Sequence, residues 1–132
     1  RVVALGIAVG LALVAIVPIA GGFVGAASVP GLARPASAFV PWAAVTVLVA
    51  AAEEALLRGL LFDAIRRSGG TVLALGVSTL AFALLHVPLY GWHVVPLDLA
   101  VGLALGGLRI ATGGIAAPAM AHAVADLATW WL

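Results

Sequence analysis

The chain has 132 residues, of which 65% are hydrophobic and only 8% are charged, whereas an ordinary soluble domain carries about 25% charged residues. It contains no cysteine, which excludes disulfides, thiolate zinc sites and cysteine nucleophiles. The formal net charge of +1 gives no basis for binding nucleic acid. Composition therefore predicts an integral membrane protein. All six basic residues are arginine, which favours a prokaryotic source and a prokaryotic cell membrane.

The first half of the chain is predicted to form two membrane spans. Residues 2–33 carry no charge, and the first span is expected at residues 2–23. Residues 25–35 are rich in proline and glycine and predict a loop. The second span is expected at residues 39–67, and the sequence Ser-Gly-Gly at residues 68–70 ends it.

Three further spans are predicted at about residues 71–87, 94–110 and 115–131. Pro88 is expected to end the first of them, and a tight turn at residues 112–114 to precede the last. Only helices or closed barrels can span a bilayer, and long apolar runs favour helices. The sequence thus predicts an all-α, polytopic transmembrane bundle of about five spans.

The polar residues at the ends of these spans indicate how the chain is oriented in the membrane. Tyr90, Trp92 and His93 are expected to lie in an interfacial belt. Alternating spans place four arginines on one side of the membrane and only Arg34 on the other; the four are Arg1, Arg66, Arg67 and Arg109. The positive-inside tendency makes that side cytoplasmic. His86 falls near the opposite end of its span, so the sequence leaves the direction in which a site would open undecided.

The first polar motif is Glu53-Glu54-x-x-x-Arg58, in the middle of an apolar span. Glu54 and Arg58 are four residues apart with the acid first, which is the favourable orientation for a helical ion pair. Glu53 lies about 100° around the helix and lacks that partner, so it is the candidate general base. In the alternative interpretation both glutamates pair with arginines and only hold helices together.

The second motif, Phe82-x-x-x-His86, places an aromatic ring one helical turn from an imidazole. Alone, such a histidine is more often an interfacial anchor than a catalyst. Asp98 is interpreted as a charge at the entrance of the fourth span, with lining of a cavity as the minor alternative.

The third motif, His122-x-x-x-Asp126, places a carboxylate one turn from an imidazole, where it can fix the tautomer and orientation of the ring. An inert hydrogen-bonded pair that joins two helices is the alternative. Ionisable groups are costly inside a membrane, so polar residues on three separate spans are expected to act together.

The order and spacing of the three motifs resemble the CPBP intramembrane protease family, which contains CAAX prenyl endopeptidases and Abi-like bacteriocin-processing or immunity proteins. The resemblance covers residues 39–132, expected to form the protease core, whereas residues 1–38 form a first span and loop outside it. A start at Arg1 without methionine is compatible with a core taken from a longer protein.

The resemblance implies a role for each motif residue. Glu53 would activate water with help from His86, while His122 and Asp126 would stabilise the oxyanion. Glu54, Arg58 and Phe82 would support the site. The family accepts asparagine or aspartate at the position of Asp126, and an ionised carboxylate cannot donate a hydrogen bond as an amide can.

The expected activity is an intramembrane endopeptidase that cleaves a peptide or protein in or at the bilayer, without a cofactor. Zinc held by Glu53, His86 and His122 is the minor alternative. The competing function is a non-catalytic membrane immunity or scaffold protein of the same family. A transporter component that relays protons through the carboxylates is a third and weaker one.

Overall fold

The structure, a computed structural model, describes residues 1–23 and 35–131, and within these ranges it contains helices and turns but no strand. The five α-helices are α1 (Val2–Phe23), α2 (Phe39–Glu54), α3 (Phe62–Tyr90), α4 (Val95–Thr112) and α5 (Ala116–Ala128). A π-helical segment, Ala55–Leu61, joins α2 to α3 without a break. The predicted all-α class is confirmed. The loop predicted at residues 25–35, including Arg34, lies outside the described residues except for Pro35.

Gly70 divides α3 into two arms, residues 62–69 and 71–90. Its backbone has φ 79° and ψ 174°, a conformation that only glycine adopts readily. The first arm therefore continues the helix that begins with α2, and the second arm returns to the π-helical segment, where Phe82 meets Arg58. The break lies where the Ser-Gly-Gly signal predicted it. The predicted helix end at Pro88 was wrong by two residues, because α3 continues to Tyr90. Proline removes one backbone donor but keeps a helical φ, and here Gly91, with φ 87°, ends the helix.

Two helical stretches of the described chain are long and apolar enough to cross a membrane, Ala36–Tyr90 and Trp92–Thr112. The surface is apolar as well, since large aliphatic side chains such as Val72, Leu89 and Val40 are mostly exposed. An exposed apolar surface of this kind is suited to contact with lipid. The count of five spans stays a prediction.

Helix α5 lies at the centre of the bundle, in contact with α1, α2 and α4. Helix α1 approaches α5 closely because Gly6 and Gly10 have no side chains; an added Cβ would lie 2.6 Å from the Ala117 carbonyl oxygen and 2.7 Å from that of Ala121. The buried core between the helices consists of Leu57, Phe82, Leu105, Leu108, Ala117 and Ala121.

The two ends of the bundle differ in chemistry. At the aromatic end, the start of α2 meets the end of α5 through the rings of Phe39, Trp42, Trp130 and Trp131. At the arginine end, Asp63 pairs with Arg109 and Arg66. Because α1 runs parallel to α5, Arg1 also lies toward the arginine end. The grouping of these arginines agrees with the sequence prediction.

Candidate active site

A buried ion pair at the end of α2 is the centre of the polar cluster. The Arg58 Nη1 donates to Glu54 Oε1 over 2.8 Å, and both side chains are completely buried. The other end of the guanidinium, Nη2, donates to the Gly102 carbonyl oxygen on α4 over 3.3 Å. The guanidinium carbon lies 4.5 Å from the centre of the Phe82 ring. Arg58 therefore joins three helices, and its predicted pairing with Glu54 is confirmed.

The π-helical segment that carries Arg58 is fixed from α4. Arg109 Nε donates to the Arg58 carbonyl oxygen over 2.9 Å, and Arg109 Nη2 donates to Asp63 Oδ1 over 2.8 Å. A π-helical turn is rare and is frequently found at functional sites. Arg109 thus occupies a backbone acceptor in the irregular turn directly after the Glu53-Glu54 pair. No local pattern in the sequence predicts this turn.

His122 on α5 faces carboxyl groups with both ring nitrogens. Its Nδ1 lies 3.1 Å from Glu54 Oε1, the same oxygen that accepts from Arg58. Its Nε2 lies 3.4 Å from Asp126 Oδ2 and 3.8 Å from Glu53 Oε2. Because the paired Glu54 is an acceptor, Nδ1 carries the proton in that contact, and Nε2 faces the other two carboxyl groups. The first and third motifs therefore meet at His122.

The adjacent glutamates differ in their access to solvent. The Glu54 side chain is completely buried, whereas 21% of the Glu53 side chain and 41% of the Asp126 side chain are exposed. The cluster thus has a closed side, at Glu54 and Arg58, and a more open side, at Glu53 and Asp126. A water molecule or peptide could reach the open side only.

The second motif is joined to this cluster by the Phe82 ring. That ring lies 4.7 Å from the His86 ring and, edge to face, 5.4 Å from the His122 ring. His86 Nδ1 lies 2.9 Å from the Phe82 carbonyl oxygen, to which it donates. The structure therefore brings the three motifs together, with His86 connected to His122 through Phe82 rather than through a hydrogen bond.

Asp98 is a member of the cluster to which sequence reasoning gave only a minor chance. It lies in the first turn of α4, as predicted, but its side chain is only 16% exposed, and its Oδ2 is 4.0 Å from His86 Nδ1. Asp98 precedes Gly102 by four residues, so both face the site from α4. A carboxyl group four residues before a close-packed glycine, inside an apolar span, is the signal that could have identified it.

Within residues 1–23 and 35–131, no three histidine, aspartate or glutamate side chains are grouped as they would be to hold a metal ion. A cavity of about 260 Å³ lies at the arginine end. Its lining residues are Phe62, Arg66, Thr71, Arg109, Ile110 and Gly113.

Comparison with known proteins identifies the family of the chain. Residues 35–128 match the family model described as Type II CAAX prenyl endopeptidase Rce1-like. The matched region covers most of the chain, contains all three motifs and leaves out α1. No curated protein and no solved structure gives a significant match. The family predicted from the order of the three motifs is confirmed.

Proposed function

We propose, because the chain belongs to the Rce1-like family of type II CAAX prenyl endopeptidases, that it is an intramembrane endopeptidase that hydrolyses a peptide bond with glutamate-activated water. The observation that carries the proposal is the meeting of Glu53, His122 and Asp126 on the more open side of a buried ion pair. A packing role alone requires no partly exposed carboxyl group beside a buried imidazole.

Glu53 is the proposed general base. It removes a proton from water as the water oxygen attacks the carbonyl carbon of the substrate, and the proton then passes to the leaving nitrogen when the C–N bond breaks. Glu54 cannot serve in this way, since it is completely buried and its Oε1 accepts from both Arg58 and His122. His86, held by the Phe82 carbonyl oxygen, assists with the proton.

His122 and Asp126 are the proposed stabilisers of the oxyanion that forms on the attacked carbonyl group. Positioned donors at such an oxygen contribute about 3 kcal/mol or more. The Nε2 of His122 is the nitrogen aimed at the open side, 3.4 Å from Asp126, and it donates to the oxyanion when the imidazole carries a proton on both nitrogens. Asp126 acts through this imidazole, because an ionised carboxylate offers no donor of its own. Glu54, Arg58 and Phe82 hold the imidazole and the base in place.

The proposed setting is a multi-pass protein of a prokaryotic cell membrane, with the bilayer and a membrane-associated peptide or protein as its partners. The apolar surface and the two long apolar helices support this setting. No cofactor is proposed for the water-activating step. Zinc at Glu53, His86 and His122 is the alternative; these three side chains are not grouped as metal ligands among the described residues, and a chelation experiment tests it.

A non-catalytic scaffold of the same family is the second candidate. It is favoured by the Glu54–Arg58–His122 network, whose three hydrogen bonds are all made to other groups of the protein. A scaffold would need this network for stability but would not need Glu53 to be ionisable.

The experiment that separates these functions is the variant Glu53→Gln, which keeps the shape and polar atoms of the side chain but removes the base. Purified protein in lipid vesicles is incubated with a library of membrane-associated peptides, and the products are identified by mass spectrometry. We expect the parent to cleave peptides and Glu53→Gln to stay folded without cleaving them. Arg66→Gln, which removes an exposed charge at the arginine end, is the control that should keep cleavage.

Cleavage by Glu53→Gln at the parental rate would show that Glu53 is not the base. A parent that cleaves none of the peptides, together with a Glu53→Gln protein of unchanged stability, would favour the scaffold instead.

A further inference from the structure

Asp98 is the polar side chain of the cluster that the proposed chemistry leaves unused. Its side chain is 16% exposed, and its Oδ2 is buried without a hydrogen-bond partner in the described structure. Arg58, which reaches α4 at the Gly102 carbonyl oxygen, is bound elsewhere, since it pairs with Glu54. A buried carboxylate oxygen without a donor is costly, so its retention calls for a reason beyond packing.

The nearest group of opposite potential charge is the imidazole of His86, whose Nδ1 lies 4.0 Å from Asp98 Oδ2. The same Nδ1 is bonded to the Phe82 carbonyl oxygen over 2.9 Å. Both contacts are made by acceptors, so both favour a proton on Nδ1. The other ring nitrogen, Nε2, is then left as an acceptor.

We propose that Asp98 is a positioning residue for His86, which holds the proton on Nδ1 and leaves Nε2 free to take a proton from water. This inference rests on the proposed peptidase function for its catalytic part, whereas the state of the His86 ring can be measured without any substrate. A carboxylate in this position also stabilises the imidazolium that forms when Nε2 accepts a proton, as the aspartate of a serine protease triad does.

Other charged groups lie near Asp98 and His86 and contribute to the electrostatic potential at the imidazole. Asp98 is within electrostatic reach of Glu53 on α2 and of His122 and Asp126 on α5, in addition to His86. On its own helix, His86 stacks against Tyr90 at 6.0 Å. Of the carboxyl groups near the cluster, Asp98 is the one that lies within 4.0 Å of a His86 ring nitrogen in the described structure. Helix α4 therefore contributes a side chain to the site in addition to the Gly102 carbonyl group.

Nuclear magnetic resonance of histidine-labelled protein in detergent micelles tests the ring state. The chain has three histidines, and the variant His86→Gln identifies the His86 signals. We expect the Nδ1–H tautomer in the parent and a gain of the Nε2–H tautomer in Asp98→Asn. Asp98→Glu, which keeps the carboxylate, should restore the parental spectrum, and Arg66→Gln, at an exposed position, should leave it unchanged. Identical His86 signals in the parent and in Asp98→Asn would overturn the proposal.

The activity measurement separates this inference from the function on which it rests. In a protein whose cleavage depends on Glu53, Asp98→Asn should lower kcat by about 10–100-fold, the usual effect of removing an outer partner, with little change in KM. An unchanged kcat there would refute the role of Asp98 and leave the peptidase standing. If the parent cleaves nothing, the peptidase fails and the spectra alone decide whether Asp98 positions the ring.

Discussion

Replacing Glu54 by glutamine tests the buried ion pair most directly. The substitution removes one negative charge from a site where the Arg58 guanidinium has no exposed surface. Leaving one partner of a buried pair unmatched typically costs about 3–5 kcal/mol. Glutamine keeps a carbonyl oxygen for one donor, and Arg58 keeps the Gly102 carbonyl oxygen and the Phe82 ring. We therefore expect the lower part of that range, about 3 kcal/mol.

For a chain of this length, a loss of about 3 kcal/mol corresponds to a fall in Tm of about 10 °C. Thermal unfolding in detergent micelles, followed by circular dichroism, measures it. The matched control is Arg66→Gln, which breaks an exposed pair of 3.5 Å at the arginine end and should cost under about 1 kcal/mol. Adding Arg58→Met to Glu54→Gln should recover most of the loss, because an apolar residue of similar length needs no charge partner.

A Glu54→Gln protein that unfolds at the parental temperature would refute this reasoning. It would mean that the Arg58 guanidinium binds water or another acceptor in the variant. The side of the cluster at Glu54 and Arg58 would then be accessible to solvent. A double variant less stable than Glu54→Gln alone would show instead that Arg58 stabilises the bundle through Gly102 and Phe82 rather than through its charge partner.

Three further predictions concern chemistry and packing. Asp126→Asn should cleave as fast as the parent or faster, because an amide can donate to the oxyanion; a large loss of kcat would show that the carboxylate is required. Cleavage should survive exhaustive chelation, and loss that added zinc reverses would make Glu53 a metal ligand. Gly10→Val should destabilise the bundle by about 1–3 kcal/mol, because its Cβ would lie 2.7 Å from the Ala121 carbonyl oxygen; Gly76→Ala, which meets open space, is the control, and equal unfolding temperatures would contradict the close packing of α1.

The helices were predictable because apolar runs and punctuation are local properties of the sequence. Glycine at position 70 adopts a positive φ and separates the two arms of α3, as the Ser-Gly-Gly signal indicated. Gly113, with φ 71°, ends α4 at the predicted turn. The predicted end of α3 was wrong because Pro88 was expected to end the helix, whereas the helix continues through it to Tyr90. Proline in a last helical turn forfeits one hydrogen bond, which is not enough to end the helix.

The composition of the site was predictable in part, since spacing by four residues shows which side chains share a helix face. The meeting of the first and third motifs at His122 is such a case. The contributions of α4 were not predictable in this way. Asp98 faces His86 from another helix, and Arg109 bonds to the Arg58 carbonyl oxygen across 51 positions of sequence. The π-helical segment receives that second contact at its Arg58 carbonyl oxygen and has no residue pattern of its own.

The different environments of Glu53 and Glu54 follow from the geometry of the helix. Two neighbouring helical residues point about 100° apart, so one can be buried while the other remains accessible. Here Glu54 binds Arg58 and the Nδ1 of His122, and this leaves the Nε2 of His122 directed toward Glu53. The buried glutamate thus sets the tautomer of the imidazole that the accessible one faces. For this reason replacing Glu53 should lower the rate of cleavage alone, whereas replacing Glu54 should lower both stability and the rate, although the two residues are adjacent in the sequence.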